Sequence, residues 1–174
     1  MGATEKIGNP DSQGALALDP IALLKALRPL QWVKNGLVFL PFVFAVDLAW
    51  STDDLGPVPE LLLKLVFVAL AFSALSSAIY LFNDLMDRSG DRLHPVKKSR
   101  PIASGKVGVP VAVAVMIVLA TTGLVVMVLV EPFLGLAGGL YAGINVGYSL
   151  GIKQVVLLDA FAVTSGYVIR AAAG

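Results

Sequence analysis

Residues 65–82 form an unbroken run of eighteen uncharged, mainly apolar residues. A helix rises about 1.5 Å per residue, so about twenty such residues cross a hydrocarbon core of roughly 30 Å. Three stretches reach that length: 61–82, 107–130 and 132–152. Two more, 30–50 and 154–173, contain ionisable residues, which inside a span usually serve a function. The sequence therefore predicts an all-α, polytopic transmembrane helix bundle with about five spans.

Composition agrees with a membrane protein and removes several kinds of site. Hydrophobic residues make up 57% of the chain and charged residues only 14%, against roughly a quarter charged in soluble domains. Without cysteine, and with His94 as its one histidine, the chain offers no disulfide, no thiolate and almost no zinc ligands. Any metal would be held by oxygen, and no nucleic-acid partner is predicted.

Basic residues alternate between loops, which predicts the orientation in the membrane. They cluster before the first predicted span, between the second and third, and between the fourth and fifth. We therefore expect a multi-pass protein of the bacterial inner (plasma) membrane, with the N-terminus and the 83–106 loop in the cytoplasm. Residues 1–24 are predicted to be a disordered cytoplasmic tail, and residues 25–174 a transmembrane domain.

Glycines recur every fourth residue from position 135 to position 151. Such a row lets a neighbouring helix backbone approach closely. Packing within the chain is the favoured interpretation, and a homo-oligomer is the alternative.

The end of the second predicted span carries three carboxylates. If the helix continues past residue 82, Asp87, Asp91 and Asp84 lie about 40°, 80° and 100° around the axis from Asn83. Carboxylates at this spacing repel one another, and a helix C-terminus favours cations instead. A hard divalent cation would compensate. Mg²⁺ suits this site because it binds through one or two carboxylates together with substrate phosphates.

The loop that follows is basic. Its residues Arg92, Lys97 and Arg100 are donors suited to an anionic substrate. A solvated loop that only sets topology is the alternative, and it is preferred for Lys98 and Lys106. His94 is interpreted as a loop hydrogen-bonding residue, and Trp32 as an anchor at the membrane interface.

The stretch NDLMDRSGDRLHP (83–95) resembles the first aspartate-rich motif of the UbiA superfamily of intramembrane prenyltransferases, and HPVKKSRPIASG (94–105) strengthens the match. The resemblance implies a nine-helix fold, of which this chain would be the N-terminal half. It also implies that Asn83, Asp87 and Asp91 bind Mg²⁺ and pyrophosphate. The second acidic motif of the family does not occur in these residues.

LRPLQWVKNGLVFLP (27–41) and the segment 148–174 resemble the branch that transfers a 5-phosphoribosyl group from phosphoribosyl pyrophosphate to a polyprenyl (decaprenyl) phosphate in cell-wall arabinan precursor synthesis. By this resemblance Lys34 and Asn35 would face the active-site cavity. Tyr148 and Lys153 would match a family YxxxK pattern, although they stand one residue further apart. Asp159 is a candidate catalytic residue, together with Asp87 and Asp91, that would bind ribose hydroxyls or steady the positive charge at the anomeric carbon; an ion pair with a neighbouring basic residue is the alternative. Arg170 is interpreted as structural.

Two other functions stay open at this point. An aromatic prenyltransferase would use the same metal to hold a prenyl diphosphate. A non-enzymatic membrane transporter would use Lys34, Asn145 and Asp159 to line a pathway. Membrane lipids are expected partners in every case.

Overall fold

The computed structural model of the protein describes residues 16–150 and 165–173. In this part of the chain the regular structure is helical, which confirms the all-α prediction. The elements in chain order are α1 (Pro20–Leu27), a 3₁₀ helix (Pro29–Phe39), α2 (Leu40–Phe44), α3 (Val58–Met86), α4 (Arg88–Leu93), a 3₁₀ turn (Lys97–Ser99), α5 (Val109–Val130), α6 (Pro132–Leu150) and α7 (165–172).

Helix α3 is the centre of the fold. It packs along α5, against α6 and against the 3₁₀ helix. Its inward side chains, together with Val38, Met127, Leu134 and Tyr141 of the neighbouring elements, form the main apolar core. Among the described helices, α3 and α5 are long and apolar enough to cross a membrane. They correspond to the predicted spans at 61–82 and 107–130. Helix α6 occupies most of the stretch predicted as a span at 132–152, but it is not among the helices that meet this criterion.

The first predicted span, 30–50, differs from the expectation of one α-helix. It consists of the 3₁₀ helix Pro29–Phe39 and the short helix α2. A 3₁₀ helix rises about 2 Å per residue, so the two pieces placed end to end reach about 30 Å with fewer residues than an α-helix needs. Neither piece is among the helices that are long and apolar enough to cross a membrane.

Side chains facing α3 explain the 3₁₀ geometry. A 3₁₀ helix has three residues per turn, so Trp32, Asn35 and Val38 lie on one face. Trp32 Nε1 donates to Ser77 Oγ (3.0 Å) and Asn35 Nδ2 donates to Ser73 Oγ (2.8 Å). The two serines are one α-helical turn apart on α3. Residues three apart on the 3₁₀ helix, Trp32 and Asn35, are therefore bonded to serines four apart on α3.

A second, smaller core lies where α1 meets α3 and the segment before α5. Ala22, Ala26, Leu81 and Ile102 are buried there. Asp19 caps α1 by accepting from Ile21 N (2.9 Å) and Ala22 N (3.0 Å). Helix α1 therefore begins at Pro20, inside the segment 1–24 that was predicted to be a tail.

Within the predicted glycine row, the described residues show a close approach at Gly135, where an added Cβ would clash with the Val128 side chain of α5. A Cβ added at Gly139 or Gly143 would meet nothing within 4 Å. It would meet Ala71 O of α3 at 2.9 Å if added at Gly123 of α5. The glycine that admits a neighbouring backbone is therefore Gly123, because α3 packs mainly against α5 rather than α6.

Candidate active site

The acidic end of α3 keeps helical register into α4. Asp87 N donates to Asn83 O (2.9 Å), and Asp91 N donates to Asp87 O (2.8 Å). Asp87 itself joins the two helices with φ −84° and ψ −2°. Gly90 does not interrupt the turn, since α4 continues to Leu93. Asn83, Asp87 and Asp91 therefore stand on three successive helical turns, as the sequence predicted.

Two of the three carboxylates are buried and paired with arginines. Asp84 and Asp91 are each 3% exposed. Asp84 Oδ1 accepts from Arg28 Nη2 at 2.7 Å and from Arg100 Nη1 at 3.3 Å, while the same Arg100 nitrogen donates to Asp91 Oδ2 at 2.8 Å. We call Arg28, Asp84, Arg100 and Asp91 the ion-pair chain. It assigns Asp84 a definite role, which the sequence alone had left open.

The ion-pair chain holds three parts of the structure together. Arg28 ends α1 and has φ +53°, a left-handed conformation that turns the chain into Pro29. Its guanidinium also lies over the Tyr80 ring, with Cζ 4.7 Å from the ring centroid. Arg100 belongs to the loop after α4, and both aspartates belong to the α3–α4 connection. The sequence predicted that Arg100 contacts substrate. In the structure its Nη1 donates to the carboxylates of Asp84 and Asp91.

A pocket of about 530 Å³ opens beside the ion-pair chain, and we call it the acidic pocket. Its polar lining consists of Asp87, Asp91, Ser89, His94 and Lys97. His94 Nδ1 accepts from the backbone N–H groups of Val96 (3.2 Å) and Lys97 (3.3 Å), so His94 organises the loop, as predicted.

The acidic pocket fits a magnesium ion better than a metal held only by protein. Within residues 16–150 and 165–173, no group of three or more His, Cys, Asp or Glu side chains could hold a metal. Asp87 and Asp91 nevertheless bring two carboxylates to one pocket. Mg²⁺ commonly uses one or two carboxylates and completes its shell with water and substrate phosphate oxygens. The donor set therefore fits that ion together with a phosphorylated ligand.

A second pocket, of about 190 Å³, lies between α3, α6, α7 and the 3₁₀ helix. We call it the basic pocket. It is lined by two cations and by amide and phenol groups, with no carboxylate among the described residues. Its polar lining includes Lys34, Tyr80, Asn83, Asn145, Tyr148 and Arg170. Asn83 therefore faces this pocket, and its Oδ1 accepts a hydrogen bond from Ser149.

Arg170 forms a buried polar network at the deep end of the basic pocket. The residue is 6% exposed. Its Nε donates to Asn35 Oδ1 (2.7 Å), its Nη2 to Tyr141 Oη (2.7 Å) and its Nη1 to Gly166 O (2.8 Å). The guanidinium also lies over the Tyr141 ring, with Cζ 4.7 Å from the centroid. Arg170 is thus level with the middle of α6, where Tyr141 lies.

The other predicted site residues are distributed unevenly. Lys34 is exposed at the rim of the basic pocket, whereas Asn35 is only 1% exposed and bonded to Ser73 and Arg170. Arg92 is exposed, and its Nε donates to Ala103 O (3.2 Å). Lys153 and Asp159 lie outside the described residues.

Sequence reasoning missed Arg28, Tyr141 and Ser149. Arg28 and Ser149 have no local signature, because their partners Asp84 and Asn83 are 56 and 66 residues away. Arg170 did carry a signal, since an arginine inside an apolar segment is costly unless it is bonded.

Comparison with known proteins matches this architecture to one family. The model of the UbiA prenyltransferase family matches residues 38–174. Decaprenyl-phosphate phosphoribosyltransferase of Mycobacterium tuberculosis is 38% identical over 152 residues, which cover 87% of this chain and 49% of that protein. The enzyme of the same name from Corynebacterium glutamicum is 38% identical over 155 residues, covering 87% and 45%.

Nodulation protein NoeC of Azorhizobium caulinodans is also similar, at 35% identity over 150 residues, covering 86% of this chain and 46% of that protein. The chain thus spans about half the length of the curated relatives it matches. The family match covers well over half of the residues. The chain therefore belongs to the UbiA prenyltransferase family.

Proposed function

We propose that the protein containing this chain transfers a 5-phosphoribosyl group from phosphoribosyl pyrophosphate to a polyprenyl phosphate and releases pyrophosphate. The observation that carries the proposal is the acidic pocket, where Asp87 and Asp91 meet Lys97 at the end of an apolar helix. Similarity to two phosphoribosyltransferases of decaprenyl phosphate favours this reaction over others in the family. Synthesis of cell-wall arabinan precursors would be its setting.

The proposed reaction needs few catalytic side chains. A phosphate acceptor is already ionised at neutral pH, so no general base is needed to activate it. The pyrophosphate leaving group needs its developing negative charge stabilised. Mg²⁺, held by Asp87 and Asp91, would supply part of that stabilisation.

Basic residues would supply the rest. Lys97 lines the acidic pocket, and Arg92 is exposed on the adjoining helix α4. Both can donate to pyrophosphate oxygens. Arg100 would act differently: its Nη1 is bonded to Asp84 and Asp91, so it would position the Asp91 carboxylate, which would help to hold the metal. Lys153 and Asp159 keep their predicted roles toward phosphate and ribose.

The polyprenyl tail would lie along the apolar helix surfaces in the membrane. We propose the orientation that the loop charges predict, with the acidic pocket in the cytoplasm, where a soluble phosphoribosyl donor is available. The site would be completed by residues outside this chain, because relatives are about twice as long.

Labelled donor tests the proposal directly. Membranes containing the full-length protein are incubated with radiolabelled phosphoribosyl pyrophosphate, polyprenyl phosphate and Mg²⁺. We expect label in the lipid fraction, and loss of at least about 100-fold in rate in Asp87→Asn and Asp91→Asn. The matched control is Asp53→Asn, an exposed aspartate in the loop before α3, which should retain the rate.

The rival functions give different results in the same preparation. An aromatic prenyltransferase would leave the lipid unlabelled and instead prenylate an aromatic acid from a prenyl diphosphate. A transporter would show flux of an ion in liposomes that Asp87→Asn alters, with phosphosubstrate binding unchanged. Either outcome would refute phosphoribosyl transfer.

A further inference from the structure

The basic pocket differs in charge from the acidic pocket. Lys34 and Arg170 line it, and no carboxylate of the described residues does. The ion pairs found among these residues involve Arg28, Lys64 and Arg100. Burying a cation without an anionic partner is unfavourable, and most unfavourable at membrane depth. A ligand that brings negative charge would remove this cost.

Arg170 also keeps hydrogen-bonding capacity. A guanidinium has five N–H donors. Three acceptors, Asn35 Oδ1, Tyr141 Oη and Gly166 O, are bonded to Nε, Nη2 and Nη1 respectively. Each Nη nitrogen carries two hydrogens, so one N–H on each lacks an acceptor among the described residues. The three bonds fix the plane of the group, which prepares a fork suited to phosphate oxygens.

The two pockets follow each other along α3. Asn83 lines the basic pocket, and Asp87, one turn later, lines the acidic pocket. Their chemistry is complementary: one suits a cation with a diphosphate, the other suits a bare anion. The proposed reaction, on which this inference rests, brings together a diphosphate and two phosphate monoesters, one on the lipid acceptor and one at the 5′ position of the donor.

We infer that the basic pocket is a phosphate-monoester site, in which Arg170 and Lys34 bind the anion and Tyr80, Asn145 and Tyr148 surround it. Asn35 and Tyr141 act as positioning residues that orient the guanidinium. The volume of about 190 Å³ equals that of about six water molecules, which leaves room for a phosphate group and part of its substituent.

Binding measurements with two probes test the site and identify the source of the phosphate. The full-length protein in nanodiscs is titrated with farnesyl phosphate and with ribose 5-phosphate, in EDTA so that the acidic pocket holds no metal. We expect Arg170→Gln to weaken the affinity for the probe that the site recognises by about tenfold or more, since a charge-assisted hydrogen bond is lost. Loss of farnesyl phosphate binding assigns the lipid acceptor, and loss of ribose 5-phosphate binding assigns the donor.

Controls separate a binding role from a structural one. Lys34→Gln changes an exposed side chain and so tests the site even if Arg170→Gln does not fold; we expect a loss of about threefold or more. Lys64→Gln removes a lysine whose partner is Glu60 and should have no effect. Arg170→Lys should recover part of the affinity.

Several outcomes would overturn the inference. Unchanged affinity for both probes in folded Arg170→Gln would mean that a carboxylate of the protein already neutralises the guanidinium. Binding of neither probe by the unaltered protein would equally refute the site. Failure of the phosphoribosyl reaction gives a different signature, since it leaves the lipid unlabelled whatever the probes show.

Discussion

Removing the Asp84 carboxylate should destabilise the protein far more than removing an exposed acid. Asp84 is 3% exposed and accepts from Arg28 at 2.7 Å and from Arg100 at 3.3 Å. In Asp84→Ala both arginines lose this partner, although Arg100 keeps Asp91 at 2.8 Å. The change therefore removes the ion pair between Arg28 and α3, while the Tyr80 contact and the packing of Ala22 and Ala26 against Leu81 remain.

The expected loss of stability depends on how far the side chains of Arg28 and Arg100 are exposed to water. Breaking a fully buried ion pair costs about 3–5 kcal/mol, because a buried charge is left alone. The side chains of Arg28 and Arg100 are 35% and 30% exposed, so water can solvate part of each freed guanidinium. We therefore expect the free energy of unfolding to fall by about 2 kcal/mol, below the fully buried range.

Unfolding of the full-length protein in mixed micelles, followed by circular dichroism, measures this change. Glu60→Ala is the matched control, because Glu60 pairs with Lys64 on the surface of α3 and both side chains are largely exposed. That control should change stability little. Equal effects of the two substitutions would refute the argument that the ion-pair chain anchors α1.

Two further predictions concern the packing of the bundle. Gly123→Ala should destabilise the protein by about 1–3 kcal/mol, since the new Cβ would meet Ala71 O at 2.9 Å. Gly139→Ala, whose Cβ would meet nothing within 4 Å, should be neutral or slightly stabilising. Thermal unfolding compares the two variants, and equal losses of stability would contradict the assignment of Gly123 as the contact. Trp32→Phe should cost about 1 kcal/mol through its bond to Ser77, and a double-mutant cycle with Ser77→Ala that shows no coupling would rule that bond out.

Much of the candidate site could be predicted from local sequence pattern. The spacing of Asn83, Asp87 and Asp91 is a property of helical geometry, so it could be predicted as soon as the helix was known to continue. The two aspartates do line one pocket with Lys97. The role of His94 was equally local, since the two backbone N–H groups that donate to its Nδ1 lie two and three residues away.

Contacts between distant residues could not be predicted in the same way. Asp84 lies on the arc of the predicted metal ligands, yet its side chain is bonded to Arg28, and Arg100 is bonded to carboxylates rather than directed only to substrate. A helical wheel gives direction around one axis but not the identity of what packs against that face.

The sequence by itself determined the helical class, the two long apolar helices and the acidic helix end, because these depend on composition or on short-range periodicity. It also indicated the family, through the resemblance of residues 83–105 to a known motif. Only the tertiary structure decided that the first span is largely 3₁₀, that Gly123 rather than the glycine row admits a neighbouring backbone, and that Arg170 reaches Asn35 across 135 residues. The physical reason is that a buried polar group must find partners wherever the fold brings them, and sequence separation does not restrict that choice.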